Sequence, residues 1–491
     1  MKNQVQLITY VDRLGGGGLP ELRALLRGPL AGLFGGVHLL PFFHPIDGAD
    51  AGFDPIDQLQ VDPRLGGWDD VRALTQDIDV MGDVIVNHMS SSSPQFLDYS
   101  AQGDASACAG LFLTMDAVFP QGATAEQLLA LYRPRPGLPF TAVTLACGQR
   151  KMLWTTFTPQ QIDIDVQHPL GREYLGAILQ TFATHGIRMV RLDAVGYAIK
   201  KAGGSNFMMP ETFAFIGEFA AQAKALGIEV LVEIHSYYQR QIEIARQVDW
   251  VYDFALPPLL LHAFEFATAE PLKRWIGMRP ANALTVLDTH DGIGIIDIGA
   301  DASDRAGKPG LVPAAELDEL VERIHRNSGG QSRQATGAAA SNLDLYQINC
   351  TYFDALGGDA QTYLMARAVQ FFLLGIPQVY YVGLLAGRND MALLQATRVG
   401  RDINRRRYSR AEIDAELATP VVQGLMRLIR LRNQHPAFGG QFEMRASGAQ
   451  SLHLRWSAGA QHAELQVDFA SRSYRLTASD GVGDEEIRLL A

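Results

Sequence analysis

Short runs in which almost every position is apolar recur along this chain. Between them, apolar residues return only every third or fourth position. The compact runs fall at residues 4–10, 36–41, 83–88, 186–192, 227–232, 250–254, 283–290 and 377–381. Continuous apolar runs bounded by Gly, Pro and Asp predict strands buried on both faces, as in a parallel sheet covered by helices. The intervening stretches read as amphipathic helices. Residues 170–185 place Leu175, Ile178, Leu179 and Phe182 at helical spacing, so one face covers the sheet. Eight such strand–helix units predict an α/β fold, a (β/α)8 TIM barrel.

Two stretches are too long to be simple connections. Residues 90–159 separate strands three and four, are rich in Gly, Pro, Ala and Gln, and predict a subdomain with little regular structure. Residues 292–361 carry one charged helix, about 313–326, then the small-residue tract Gly337-Ala338-Ala339-Ala340-Ser341-Asn342. Both follow C-terminal strand ends, so both are expected to overhang the pocket that barrels form there. The expected division is barrel at 1–89, inserted subdomain at 90–159, barrel at 160–291, inserted loop subdomain at 292–361 and barrel at 362–437, with a helix at 421–435. Beyond it, 438–491 alternate apolar and polar, as in Ser451-Leu452-His453-Leu454-Arg455-Trp456, and predict a C-terminal all-β domain.

Charge narrows the partners. The chain carries 42 basic and 53 acidic side chains, a formal net charge of −11. That argues against a nucleic-acid or anionic-membrane surface. An acidic sum leaves open an anionic substrate, which local Arg residues would hold. Cys108, Cys147 and Cys350 are odd in number and widely spaced, which fits reduced thiols in a cytoplasmic protein, not a disulfide framework or a zinc site. No apolar stretch of signal-peptide type opens the chain, and no run approaches the ~18 residues of a membrane span.

Three of the strand-like runs end in acids: Asp193, Glu233 and Asp291. Acids at C-terminal strand ends of a barrel converge on one pocket. Glycosidic bond chemistry needs that equipment: a nucleophile, an acid/base and a group that stabilises oxocarbenium charge. Arg191 lies two residues before Asp193, on the same strand face, and is expected to hold its pKa down as an ionised nucleophile. Glu233 follows a more apolar run and suits the acid that later acts as base. Asp291 follows His290, a pair suited to sugar hydroxyls and positive charge. His88 and His290 at strand ends are candidate substrate contacts. Phe53, Tyr132, Phe157 and Tyr197 are candidate ring faces for the C–H surface of a sugar.

The motifs themselves point to a family. Asp83-Val84-Ile85-Val86-Asn87-His88, Arg191-Leu192-Asp193-Ala194-Val195-Gly196-Tyr197, Glu233-Ile234-His235-Ser236 and Leu287-Asp288-Thr289-His290-Asp291 resemble, in order and spacing, the four motif regions of glycoside hydrolase family 13, the α-amylase family. The resemblance implies Asp193 as nucleophile, Glu233 as general acid/base and Asp291 as transition-state stabiliser. It implies Arg191, His88 and His290 as partners in the glucose subsite. Within the family, the chain resembles disaccharide phosphorylases acting on sucrose. The segments that carry this are 47–54, 133–140, Phe157-Thr158-Pro159-Gln160-Gln161, 338–347 and 400–405.

That second resemblance implies sucrose and inorganic phosphate as substrates and glucose 1-phosphate and fructose as products. Related activities with glucosylglycerol or sucrose 6'-phosphate, a sucrose hydrolase or transglucosidase, and a non-catalytic binding protein are the alternatives. It also implies that Asp50 and Arg401 grip the glucosyl unit. Tyr132, Pro134, Arg135, Tyr197, Leu343, Asp344, Leu345, Tyr346 and Gln347 would build the acceptor side, and Gln160 would bind substrate. Phosphate is an anion among carboxylates, so Arg135 is expected to bind it, with Tyr346 and His235 adding hydrogen bonds. The loop 337–347 is expected to present Asp344 to fructose in one state and Arg135 with Tyr346 to phosphate in another. Asn87 raises a metal question, since amylases of the family use that Asn for structural calcium. No compact set of oxygen ligands of the EF-hand kind is visible, so no required metal and no organic cofactor are expected. A monomer, or a homodimer through residues 90–159, is expected.

Overall fold

The computed structural model describes residues 1–48, 50–134, 137–301, 307–336 and 347–490. Eight strands close a barrel. They are β1 (Gln6–Thr9), β2 (Gly36–Leu39), β3 (Asp79–Ile85), β4 (Met189–Asp193), β5 (Glu229–Val232), β6 (Trp250–Asp253), β7 (Ala283–Thr285) and β8 (Ile376–Tyr380). Each pairs in parallel with its sequence neighbours, and β8 returns to β1 with Leu7 opposite Val379. Their side chains are buried almost throughout. This is why the strands read as solid apolar runs: helices cover one face and the barrel interior fills the other.

Helix α1 (Pro169–Thr184) shows the local logic. His168 caps it by accepting from the Leu170 N–H, and Pro169 at the first turn costs no hydrogen bond. Leu175, Ile178, Leu179 and Phe182 form the buried face. The helix stops at Gly186, which takes the left-handed φ of +85° that an L side chain resists.

Two strand ends differ from expectation. β3 stops at Ile85, and His88–Ser90 is a separate strand that pairs antiparallel with Gln161–Asp163. β7 stops at Thr285, so Asp291 is reached by an irregular segment and not by the strand itself. That segment is fixed from behind by Arg367 of the helix Ala360–Phe372, whose Nη2 lies 2.8 Å from both oxygens of buried Asp288.

The stretch 90–159 has more regular structure than its composition suggests. It holds the helices Pro94–Gln102, Met115–Val118 and Ala125–Ala130 and the hairpin Phe140–Thr144/Arg150–Trp154. Leu113, Val118, Phe119, Leu131 and Trp154 give it a small core of its own. Ser93, Thr114 and Thr124 cap its helices, a signal carried by single residues instead of by periodicity. In the second insertion α2 (Ala314–Asn327) is the expected charged helix. After α3 (Pro420–Gln434), five antiparallel strands from Gln441 onward form the terminal sheet. Leu452, Leu454 and Trp456 face inward, and the Trp456 indole N–H reaches the Phe372 carbonyl at 2.7 Å, tying sheet to barrel. Among the described residues, no helix is long and apolar enough to cross a membrane.

Candidate active site

Arg191 sits beneath the pocket on β4, 1 % exposed. Its guanidinium pairs with Asp83 of β3 and with Glu233, and its Nη2 is 3.4 Å from Asp193. Asp83 is held from its other side by the His38 ring at 3.1 Å. Three adjacent strands therefore supply one buried charge cluster, and strand register alone brings it together: Arg191 lies opposite Asp83 and Leu231. Asp193 is the last residue of β4 and Glu233 the first after β5. Both carboxyls reach the pocket.

The electrostatics of Asp193 correct the expectation. Burial is the strongest influence and pushes its carboxyl well above the ordinary range. Arg191 opposes this, but its contact with Glu233 is tighter than that with Asp193, and Glu233, Asp83 and Asp291 add like charge. Arg191 thus limits the rise without reversing it.

Asp291 behaves differently. Burial would raise it, but Arg401, 2.7 Å away on the turn Gly400–Asn404, holds it far below the ordinary range. Burial drives the His290 pKa well below its usual value, so the ring is neutral beside Asp291. His290 stacks on Phe53, centroids 4.8 Å apart. His88 is also pushed down by burial; its Nε2–H donates to the Phe53 carbonyl at 2.9 Å, leaving Nδ1 as an unpartnered acceptor. Asp50, Phe53, His88, His290 and Arg401 line the pocket with the three acids. One atom each of Glu233, His235 and Asp291 lies within 4.8 Å of the others.

The opposite wall is aromatic. Tyr132, Phe157 and Tyr197 line it as expected; Phe207, not among the expected residues, packs on Tyr132 at 4.4 Å and Tyr197 at 4.8 Å. Phe207 is brought close by Gly196, where a Cβ would stand 2.8 Å from its ring. It lies between Asn206 and Met208, both with positive φ, so no periodicity marks it. Ile296 is a second lining residue that was not expected. Pro134, His235 and Gln347 complete the wall, and Gln347 accepts from Arg401 at 3.3 Å.

Gln160 is a correction. It is exposed and outside the pocket lining; the neighbouring Gln161 is the buried one and donates to the Phe53 carbonyl at 3.4 Å. The pairing with His88–Ser90 turns Gln161 inward. Arg135, Leu343, Asp344, Leu345 and Tyr346 lie outside the described residues.

Asn87 does not fit a metal. Its Oδ1 accepts from the ammonium of Lys200 at 2.5 Å, and the same ammonium is 2.7 Å from Asp163 and bonds the Tyr197 carbonyl. The space between these oxygens is filled by a buried cation that the chain supplies itself.

Chemically, the pocket offers two carboxyls bridged by one guanidinium, a third carboxylate kept ionised, neutral imidazoles for hydroxyls and an aromatic wall. The α-amylase catalytic-domain model matches residues 33–247. A sucrose phosphorylase of Agrobacterium vitis is 60 % identical, covering 98 % of each chain. One from Bifidobacterium adolescentis is 55 % identical over 95 % of this chain and 92 % of its own. The crystal structure of sucrose 6F-phosphate phosphorylase from Thermoanaerobacter thermosaccharolyticum superposes with a TM-score of 0.91 at 35 % identity, covering 100 % of this chain and 98 % of that one.

Proposed function

From a chain that belongs to the sucrose phosphorylase family, a branch of the α-amylase family, we propose glucosyl transfer from sucrose to inorganic phosphate, giving α-D-glucose 1-phosphate and D-fructose. The observation that carries the reading is 60 % identity to a sucrose phosphorylase over 98 % of both chains. Retention is supported by Arg191, whose Nη2 touches both Asp193 and Glu233. That bridge holds the two carboxyls closer than the ~6.5–9.5 Å of inverting enzymes.

In the first half-reaction Asp193 attacks the anomeric carbon of the glucosyl unit while Glu233 gives its proton to the departing fructose oxygen. The products are fructose and a β-glucosyl ester of Asp193. In the second, Glu233 takes a proton from phosphate, a phosphate oxygen attacks the anomeric carbon, and the Asp193 carboxylate is released. Asp291, kept ionised by Arg401, faces the positive charge that builds on the sugar. Asp50 and Arg401 hold the glucosyl hydroxyls, with His88 and His290 beside them. Tyr132, Pro134, Tyr197, His235 and Gln347 shape the acceptor side; the family resemblance assigns acceptor binding also to Arg135, Leu343, Asp344, Leu345 and Tyr346, which lie outside the described residues, and gives phosphate to Arg135. The chemistry proceeds through a glycosyl ester and uses no organic cofactor.

Action in the cytoplasm is part of the reading. The charged product is retained by a membrane, and Cys108, Cys147 and Cys350 are free thiols. A homodimer through residues 90–159 is supported by Leu97, Leu129, Leu138 and Met152, large apolar side chains exposed on that segment. The test of function is product analysis with sucrose, with and without phosphate. Phosphate-dependent glucose 1-phosphate with equimolar fructose is expected. Free glucose as the main product despite phosphate would make this a hydrolase, and no cleavage of sucrose would point to another glucosyl donor or to a binding role.

A further inference from the structure

His235 enters the pocket with a partner that the reaction scheme does not use. The turn Ile295–Ile298 carries Asp297, fully buried. Its Oδ2 is 2.8 Å from His235 Nδ1. Its Oδ1 accepts from the Ser236 N–H at 3.0 Å and from the Gln241 amide at 3.1 Å. Every direction from which the carboxylate could turn is thus occupied. The His235 ring lies flat on Phe254, 3.8 Å between centroids and 16° apart, so its plane is fixed as well. Gly294 makes room for the pair: a Cβ there would stand 2.2 Å from Asp297 Oδ2 and 2.8 Å from His235 Nδ1.

With Nδ1–H committed to Asp297, the remaining nitrogen decides what the ring binds. His235 Nε2 is buried, without a hydrogen-bond partner in the protein, on a ring that lines the pocket with the three acids. In a neutral ring Nε2 accepts; in a charged ring it donates, which is what an anion needs. The groups facing the ring are Asp297 from the turn, Glu233 from its own segment and Asp291 from the segment after β7. Tyr132 from the insertion, and Tyr237, Arg240 and Asp301, line the adjoining cavity with it. Burial works against a charged ring, but Asp297, Glu233 and Asp291 outweigh it and raise the His235 pKa above its ordinary value. Of the described lining residues that can carry positive charge, Arg401 is paired with Asp291 and burial keeps His88 and His290 neutral, which leaves His235 to meet an anion beside Glu233.

We propose that Asp297 is a positioning residue for phosphate: it holds His235 with Nε2–H aimed into the pocket as a donor to the incoming anion. The proposal rests on the phosphorolytic reading of the site. Its test is Asp297→Asn, which keeps the shape and removes the charge. The phosphate KM is expected to rise about tenfold or more, with a smaller change in sucrose KM. The ratio of glucose 1-phosphate to glucose formed from sucrose is expected to fall in proportion. A purely structural role would lower transfer to water and to phosphate together and leave that ratio unchanged, which would overturn the proposal.

Coupling gives a second arm. In a His235→Asn background, Asp297→Asn is expected to change the ratio by less than about twofold; an undiminished effect would overturn the proposal. Should Asp297→Asn fail to fold, 15N-histidine spectra of the wild type decide. The His235 ring signal, assigned by its loss in His235→Asn, is expected to shift with α-glucose 1-phosphate and not with glucose; no difference between the two would contradict the proposal. If the wild type makes no glucose 1-phosphate, the functional reading itself fails. If it does and Asp297→Asn keeps its phosphate KM, only this inference falls.

Discussion

As the proposed nucleophile Asp193 must be ionised to attack, yet burial raises its pKa well above the ordinary carboxylate range. The consequence is a pH dependence whose sign is fixed. As pH falls through the raised value the carboxylate is protonated and the nucleophile is lost. The acid limb of kcat/KM for sucrose, which reports the free enzyme, is expected above the ~4 of an unperturbed Asp. A pH–rate profile flat down to about pH 4 would contradict the account of the residue. Arg191, Asp193 and Glu233 were legible because they lie on or directly after strands, whose geometry dictates where each points; Asp291 was legible from its motif, although an irregular segment carries it beyond β7. The sign of the Asp193 shift was not, because a two-residue spacing to Arg191 shows the attractive partner and hides Glu233, which competes for it. Asp297 was equally hidden: a buried acid on a turn leaves no mark in the sequence until the fold sets it beside His235.

Elements show the same division. Barrel strands and long helices follow from periodicity, since burial on both faces or on one stripe leaves a repeating signature. Segments held by single polar anchors do not. The path to Asp291 depends on Asp288 and Arg367. The junction between the insertion and the barrel depends on Lys200, whose side chain is 1 % exposed and bridges Asn87 after β3, Asp163 of the returning strand and the Tyr197 carbonyl after β4. Replacing it with an apolar chain leaves the Asp163 carboxylate buried without its cation. Lys200→Met is expected to destabilise the protein by about 3–5 kcal/mol, seen as a lower midpoint in urea. An unchanged midpoint would show that the ammonium contributes little. Phe207 and Gln161 belong to the same class: positive backbone angles place the first and an antiparallel pairing turns in the second.

At the scale of the whole molecule, the net charge of −11 coexists with an anionic substrate because the cations that matter are local. The barrel also carries its own acid sensitivity. Buried Asp83 is opposed by desolvation but held by Arg191 and His38 at a pKa of about 2, below the 3.8 of an ordinary Asp. A depressed acid stabilises the fold above its unfolded pKa and loses that contribution as pH falls through the folded value. Asp83 is therefore expected to contribute about 2 kcal/mol at neutral pH, lost between roughly pH 4 and 2. Comparing wild type with Asp83→Asn in denaturant at pH 7 and pH 3 checks this, with the difference between them expected to shrink in acid. A difference that grows in acid would reverse the assignment.

By the proposed mechanism one pocket passes a glucosyl unit to phosphate through an ester of Asp193. Exchange of labelled phosphate into glucose 1-phosphate without fructose tests it most directly, because only a glucosyl-enzyme can release phosphate and take it up again. Rapid exchange is expected of the wild type, and its loss, by on the order of 10⁴-fold, of Asp193→Ala. A wild type that cleaves sucrose with phosphate yet shows no exchange until fructose is added would contradict it.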